Sequence, residues 1–217
     1  MHLYKLIKKT FLYYALILQI SCVSMGQKDQ SEQAPEDFTV VFATSKGLLH
    51  LDIKRHYAPI GVDRFYNLVK NGFYNNQAIF RVVPDWVVQF GISSDPDQSR
   101  IWYQANIADE TNPLRLRNNR GTMAFAKLKE KNSRTTQLFI NLKDNTKALD
   151  KRGFRPFAIL RQPGFAVLQS LYSGYGDLQH KGGRAPNQEQ LSREGKDYLK
   201  NFPKLDYIRK AYIEPAK

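Results

Sequence analysis

Arg81, Gln89 and Trp86 stand close together in the stretch AIFRVVPDWVVQFG at 78–91, which is otherwise almost wholly apolar or β-branched. A guanidinium is permanently charged and carries its donors in a fixed fork, so it can hold and polarise an acceptor without exchanging a proton. With apolar residues on both sides of each polar one, Arg81 and Gln89 must either pair in a partly buried place or line a cleft. Other chemistries find little support. His2, His50, His56 and His180 have no ligand-like spacing, which disfavours a metal site. Ser93-Ser94 precedes Asp95-Pro96 and reads as a turn rather than a nucleophile elbow. Lys181 with Gly182-Gly183 lacks the frame of a phosphate loop and reads as a solvated loop.

The elements that must position these residues follow from periodicity. Pro84 fixes its own φ and pushes Val83 into an extended conformation, so 78–91 reads as strand, turn, strand. Before it, Leu49, Leu51 and Ile53 alternate with His50, Asp52 and Lys54, the pattern of a strand with one wet face, and 38–42 pairs with it as a hairpin. From Pro59 the period changes: Val62, Phe65, Tyr66 and Val69 mark a helix that Gly72 ends. The segment 93–119 reads as irregular, with prolines and turn-forming Asn and Asp. Strands follow at 121–126, 137–142 and 156–161, with charged or turn-rich loops at 127–134 and 144–155. A second helix is expected at 166–172, then a hydrophilic stretch at 177–200 and a closing strand at 205–213. Many short strands with two helices favour a mainly β, closed barrel over a sandwich. The last strand is expected to pair with the first hairpin and remove its exposed edge.

A chain of 217 residues holds one domain with a sizeable core, plus tails. The formal net charge is +13, and the chain stays basic without Lys5, Lys8 and Lys9 of its leader. The charges are spread rather than gathered, with modest clusters at Arg115, Arg117 and Arg120 and at Lys127, Lys129 and Lys131. No groove-reading or base-stacking motif accompanies them, so nucleic acid is not an expected partner. The N-terminus has the layout of an export signal over 1–22: a basic start, an apolar run at 11–20 too short to span a bilayer comfortably, then Ser21-Cys22. Cys22, the single cysteine, forms no intramolecular disulfide. It stands where a bacterial lipoprotein carries its lipid, although Gln19 departs from that motif; cleavage near Ser24 or Gly26 would discard it instead. A polar tether is expected at 23–37, leaving 38–217 as the folded domain with 177–217 as a C-terminal extension.

Five motifs in order resemble the cyclophilins, the peptidyl-prolyl cis-trans isomerase family. They are the helix and its exit around 59–74, FRVVPDWVVQFG for the family's F-H-R-x-x-P-x-F-x-x-Q-G-G, GTMAFA at 121–126, TTQLFINL at 135–142, and Leu149-Asp150 with 153–158. The resemblance runs from about Thr39 to Gly176, more loosely to Ile213, and the C-terminal run is similar to that of a bacterial envelope subgroup. It implies a closed eight-stranded antiparallel barrel capped by two helices, with an open groove for proline-containing polypeptides and no cofactor. On the matching positions it implies Arg81 as the catalytic residue and Gln89 as a holder of the substrate backbone. Trp86, Val87, Phe139, Leu149 and Phe154 would form the proline pocket, with Gln137, Ala126 and Lys127 along the groove. The departures are Ala148 where the family has an aromatic residue, Phe154 for a histidine, Trp86 and Val87 for phenylalanine and methionine, Phe90-Gly91 for a glycine pair, and Lys127 for asparagine. Ala148 implies weak binding of cyclosporin, and Lys127 suggests a preference for a substrate carboxylate.

The implied activity is bond rotation in flexible proteins of the periplasm or cell envelope. Two rivals make distinct predictions. A binding module would hold proline-containing segments with little turnover. A purely structural protein would bury Arg81 and Gln89 against each other rather than leave them open to solvent. Oligomeric state is open.

Overall fold

Phe80 interrupts what would otherwise be one long strand, and the sheet closes through that interruption. The computed structural model describes residues 32–215. Nine strands form a single antiparallel sheet: β1 (Asp37–Thr44), β2 (Gly47–Lys54), β3 (Gln77–Ile79), β4 (Arg81–Val83), β5 (Val87–Phe90), β6 (Thr122–Phe125), β7 (Leu138–Asn141), β8 (Pro156–Leu160) and β9 (Asp206–Ile213). Their order is β3-β9-β1-β2-β8-β6-β7-β5-β4. The two strands at the ends of that order are consecutive in the chain, separated by Phe80 alone, so the sheet curls until one bent strand joins its edges. Counting β3 and β4 as one gives the expected eight-stranded barrel. β9 pairs with β1, as the closing strand should, and with β3 on its other side.

Alternation fills the barrel. Val40, Phe42, Leu49, Leu51, Ile53, Val82, Val88, Phe90, Met123, Phe125, Leu138 and Ile140 point inward into the main core. Phe42, Tyr74 and Phe90 meet edge to face within it. The first expected helix is α1 (Pro59–Lys70), with proline in its first turn, where a missing N–H costs nothing, and Gly72 just past its end at φ +70°.

Among the described residues four further α-helices were not expected from the sequence, and the second expected helix is displaced by two residues. In 93–119, α2 (Pro96–Tyr103) begins with a proline at its first turn; Asp95 caps it by accepting from the Asp97 N–H at 2.9 Å. The same proline read as a breaker is here a starter. A short α3 (Thr146–Leu149) occupies part of the loop at 144–155. The helix expected at 166–172 is α4 (Gly164–Ser170). The hydrophilic 177–200 contains α5 (Gln188–Glu194), capped by Asn187, and α6 (Lys196–Leu199). Leu191, Tyr198 and Leu199 of these helices form a second apolar cluster with Ala78, Phe80, Ile92 and Leu205. Ala78 and Phe80 flank the inward-facing Ile79, so the C-terminal extension is packed on the outer face of the bent strand.

The described part of the expected tether is not free chain. Ala34 is buried and its N–H donates to Asp63 at 2.9 Å; Asn67 donates to the Glu32 carbonyl at 2.7 Å, and Lys70 pairs with the Glu32 carboxylate at 2.5 Å. Residues 32–34 are thus held against α1. The export signal and Cys22 lie outside the described residues.

Candidate active site

Inward-facing residues of β4 to β7 belong to the core, so their neighbours must face out, and those outward residues fall in register. Arg81 on β4 lies opposite Gln89 on β5, Gln89 opposite Phe139 on β7, and Phe139 opposite Ala124 on β6. A single cross-strand row therefore carries a cation, a carboxamide, an aromatic ring and a methyl group, each close enough to touch the next.

One end of the row is apolar. Val87, Ala124, Phe139 and Leu149 form a buried cluster separate from the main core, with Trp86, Ala126 and Phe154 packed on it half-buried. Phe154 meets Phe139 edge-on with ring centres 5.5 Å apart. Every residue expected in the proline pocket is brought together here, and Ala124, which had not been singled out, forms its floor. Ala148 is exposed and adds nothing to it.

A buried polar network holds the pocket walls in place. Asn145 donates through Nδ2 to the Trp86 carbonyl and to Asn141 Oδ1, both at 2.9 Å. Asn118 donates to Asp150 Oδ1 at 2.8 Å and to the Phe154 carbonyl at 3.1 Å. Asn141 joins the two by donating to Asn118 Oδ1 at 3.3 Å. Asn118 and Asn141 are fully buried and Asn145 almost so, and each amide satisfies partners that would be costly to bury alone. The segments of Asn118 and Asn145 read as irregular and turn-rich, and Asn141 as the end of a strand; only the fold reveals that the three side chains point inward to one another.

The other end of the row is polar and tightly paired. Arg81 Nη1 donates to Gln89 Oε1 at 2.8 Å, and Gln89 Nε2 donates to Gln137 Oε1 at 2.9 Å. Arg81 Nε donates to Asp177 Oδ1 at 2.8 Å. Nη2 lies 2.8 Å from that same oxygen, but out of line, and is a buried donor without a well-aligned acceptor. Arg81 is 7% exposed and Gln89 6%. This is the burial and mutual pairing attached above to a purely structural role, with a carboxylate added that had not been singled out. Asp177 lies 96 positions along the chain in a polar segment, where no local signal marks it.

Two groove residues are engaged elsewhere. The Lys127 ammonium pairs with Asp109 at 3.3 Å and its side chain is 10% exposed, so it is not free to take a substrate carboxylate. The Ala126 N–H donates to the Gln137 carbonyl at 2.8 Å, which leaves only its own carbonyl for a peptide. Among the described residues no group of His, Cys, Asp and Glu is placed to hold a metal ion.

Residues 39–190 match the family model described as cyclophilin type peptidyl-prolyl cis-trans isomerase/CLD. A curated relative from Dickeya dadantii, peptidyl-prolyl cis-trans isomerase A, is 38% identical over 62% of this chain and 66% of its own length. Peptidyl-prolyl cis-trans isomerase B of Escherichia coli is 34% identical over 49% of this chain and 63% of its own. The chain thus spans just under two thirds of the length of these relatives. Among solved structures, a cyclophilin type isomerase of Cryptosporidium parvum superposes with a TM-score of 0.59 at 21% identity, over 83% of this chain and 99% of that one, a likeness of fold.

Proposed function

Since the chain belongs to the cyclophilin-type peptidyl-prolyl cis-trans isomerase family, we propose that it accelerates rotation about X-Pro bonds in flexible polypeptides. The observation that carries this reading is the row Arg81, Gln89, Phe139 and Ala124 beside an apolar pocket. Rotation meets a barrier of ~18–20 kcal/mol because the amide nitrogen shares its lone pair with the carbonyl. Uncatalysed exchange therefore takes on the order of tens to hundreds of seconds.

The prolyl ring sits in the pocket of Val87, Phe139, Leu149, Trp86 and Phe154, which fixes one side of the bond. As the other side turns, the nitrogen becomes pyramidal and can accept a hydrogen bond. Arg81 holds the neighbouring carbonyl and donates to that nitrogen, so the twisted state gains an interaction the planar one lacks. Gln89 steadies both Arg81 and the peptide backbone. No σ bond is made or broken, so the reaction calls for neither nucleophile nor cofactor.

A protease-coupled assay on a short X-Pro peptide tests this. Arg81→Ala is expected to lower the catalysed rate by about 10²-fold or more; equal rates for variant and wild type would remove Arg81 from the chemistry. The cover that Asp177 forms over Arg81 favours a second reading, a proline-peptide-binding module with little turnover. That reading expects peptide affinity by titration without faster isomer exchange by NMR.

The setting is proposed on sequence alone: export to the periplasm or cell envelope, with clients there and a lipid on Cys22. Among the described residues no helix is long and apolar enough to cross a membrane. Cys22→Ala should release the protein from the membrane fraction, and unchanged fractionation would exclude the lipid.

A further inference from the structure

Arg81 is the one group the proposed reaction cannot do without, and it is covered. Its Nη2 atom is buried, its Nη1 is held by Gln89, and its Nε is held by Asp177. A peptide carbonyl approaching the Nε and Nη2 edge of the guanidinium meets an oxygen already there: Asp177 Oδ1, 2.8 Å from both nitrogens. A carboxylate is a stronger acceptor than a peptide carbonyl, and an ion pair this sheltered is worth more than one in open water.

Asp177 is not needed to aim Arg81. Gln89 already fixes the guanidinium from the neighbouring strand and is itself fixed by Gln137. Nor does the carboxylate help a group that acts through its positive charge, since pairing cancels much of the field at the groove. The segment around it is built to present it. Asp177 Oδ1 also accepts the Leu178 N–H at 2.7 Å, the Arg184 N–H returns to the Tyr175 carbonyl at 2.8 Å, and the Ala185 N–H returns to the Asp177 carbonyl at 3.1 Å. Gly183 lies so close against Asp177 that a Cβ there would stand 1.7 Å from its carbonyl oxygen. Just before it, Gly176 at φ +64° has nothing within 4 Å of where a Cβ would be. The loop is thus closed on itself and open at its entry.

We propose that Asp177 is a built-in competitor of the substrate: its carboxylate occupies the edge of Arg81 that a peptide carbonyl must take, and turnover requires its release. This rests on the reading of Arg81 as the group that polarises the X-Pro bond. A competitor raises the apparent KM by the inverse of the fraction of time that Arg81 is free, whereas a positioning residue would lower kcat when lost.

The test compares wild type, Asp177→Ala, Asp177→Asn, Arg81→Ala and the Arg81→Ala/Asp177→Ala double variant. The measurements are kcat and KM on a short X-Pro peptide by NMR line-shape exchange, with folding of each checked by circular dichroism. Asp177→Ala is expected to raise kcat/KM about 5- to 20-fold, mostly through KM. Asp177→Asn should fall between, because its amide oxygen still accepts from Arg81 and Leu178 while the charge is gone; it also serves if the alanine variant misfolds. The double variant should be as slow as Arg81→Ala. An Arg81-dependent rate in the wild type with no gain in either Asp177 variant would overturn the competitor and leave the proposed function standing. A rate that appears only when Asp177 is replaced would support the competitor. No Arg81-dependent rate in any variant would overturn both.

Discussion

Gly91 ties backbone geometry to the site at the scale of a single residue. It follows Gln89 by two positions, sits at φ +103°, and a Cβ on it would stand 2.6 Å from the Thr136 carbonyl oxygen and 2.9 Å from Gln137 Cα. The motif marks a glycine here, but its reason is visible only once β5 is seen to leave the sheet against the residue that holds Gln89. Gly91→Ala must relieve both a left-handed φ and a collision with backbone, and should lower stability by about 1–3 kcal/mol, read as a shift in the denaturant midpoint at unchanged slope. Because one of the two displaced atoms is the Gln137 Cα, kcat/KM should fall as well. A stable variant with wild-type activity would mean that the neighbouring strand yields freely. That Arg81 and Gln89 need either each other or a cleft was legible, because isolated polar residues in apolar runs demand partners; that they bond to each other was not. Asp177 and the engagement of Lys127 were not, since their partners lie far away in the chain or on a loop with no periodicity.

Elements, rather than residues, explain how the loop at 104–121 is kept beside the groove. The first turn of α1 has no side-chain cap of its own. Glu110, from that loop, accepts the Gly61 N–H at 2.8 Å and also pairs with Arg134 at 2.9 Å, so one buried carboxylate caps the helix and anchors two loops. The carboxylate and the guanidinium are 1% and 4% exposed. Glu110→Ala removes the nearer carboxylate of buried Arg134, which keeps only Asp109 at 3.7 Å and the Ala108 carbonyl, and should cost about 2–4 kcal/mol, or very roughly 4–16 °C in Tm, measured by thermal denaturation near neutral pH. Adding Arg134→Leu should recover part of that loss; a single variant that melts like wild type would show that water replaces the carboxylate. A weaker clasp ties β1 and β2 to Arg161, the residue that follows β8. Arg161 donates to Asp52 and, with a further hydrogen bond from Thr39, holds its carboxyl below the usual carboxylate pKa against the opposing effect of burial. The folded state therefore gains from this pair above about pH 4 and loses it as pH falls through the lowered pKa. At this exposure the gain is under about 1 kcal/mol. Asp52→Asn should flatten that small part of the acid limb of Tm against pH, and an unchanged slope would refute it.

The molecule as a whole is a barrel whose closure depends on its last strand. β1, β2 and the paired strands after Gly121 were readable from alternation, and so was the need for a closing strand near 205–213, because a hairpin edge left bare is a liability. The helices at Pro96 and Gln188 were not readable, since a proline at a first helical turn and a polar face both look like loop until a partner surface exists. For the helix at Gln188 that surface is the outside of the bent strand β3–β4, which can be bent only because β9 holds β3 while β5 holds β4; the helix at Pro96 instead sets Trp102 edge-on against Phe73. β9 lies between β3 and β1 in the sheet, buries Ile208 and Ala211, and carries Asp206, whose carboxylate accepts Ser45 Oγ at 2.6 Å and the Tyr172 N–H at 2.7 Å. Removing residues 206–217 would therefore bare the ladder edges of both β1 and β3 and open the core beneath them. Such a truncated chain should lose its cooperative thermal transition and associate through the exposed edges, read by circular dichroism and light scattering. A soluble monomer with the wild-type melting curve would mean that the bent strand closes the barrel without β9. Conversely, Ile208→Asp, which keeps the length and the ladder but charges the core, should destabilise without promoting association as strongly, separating the packing contribution of β9 from its role as an edge cover.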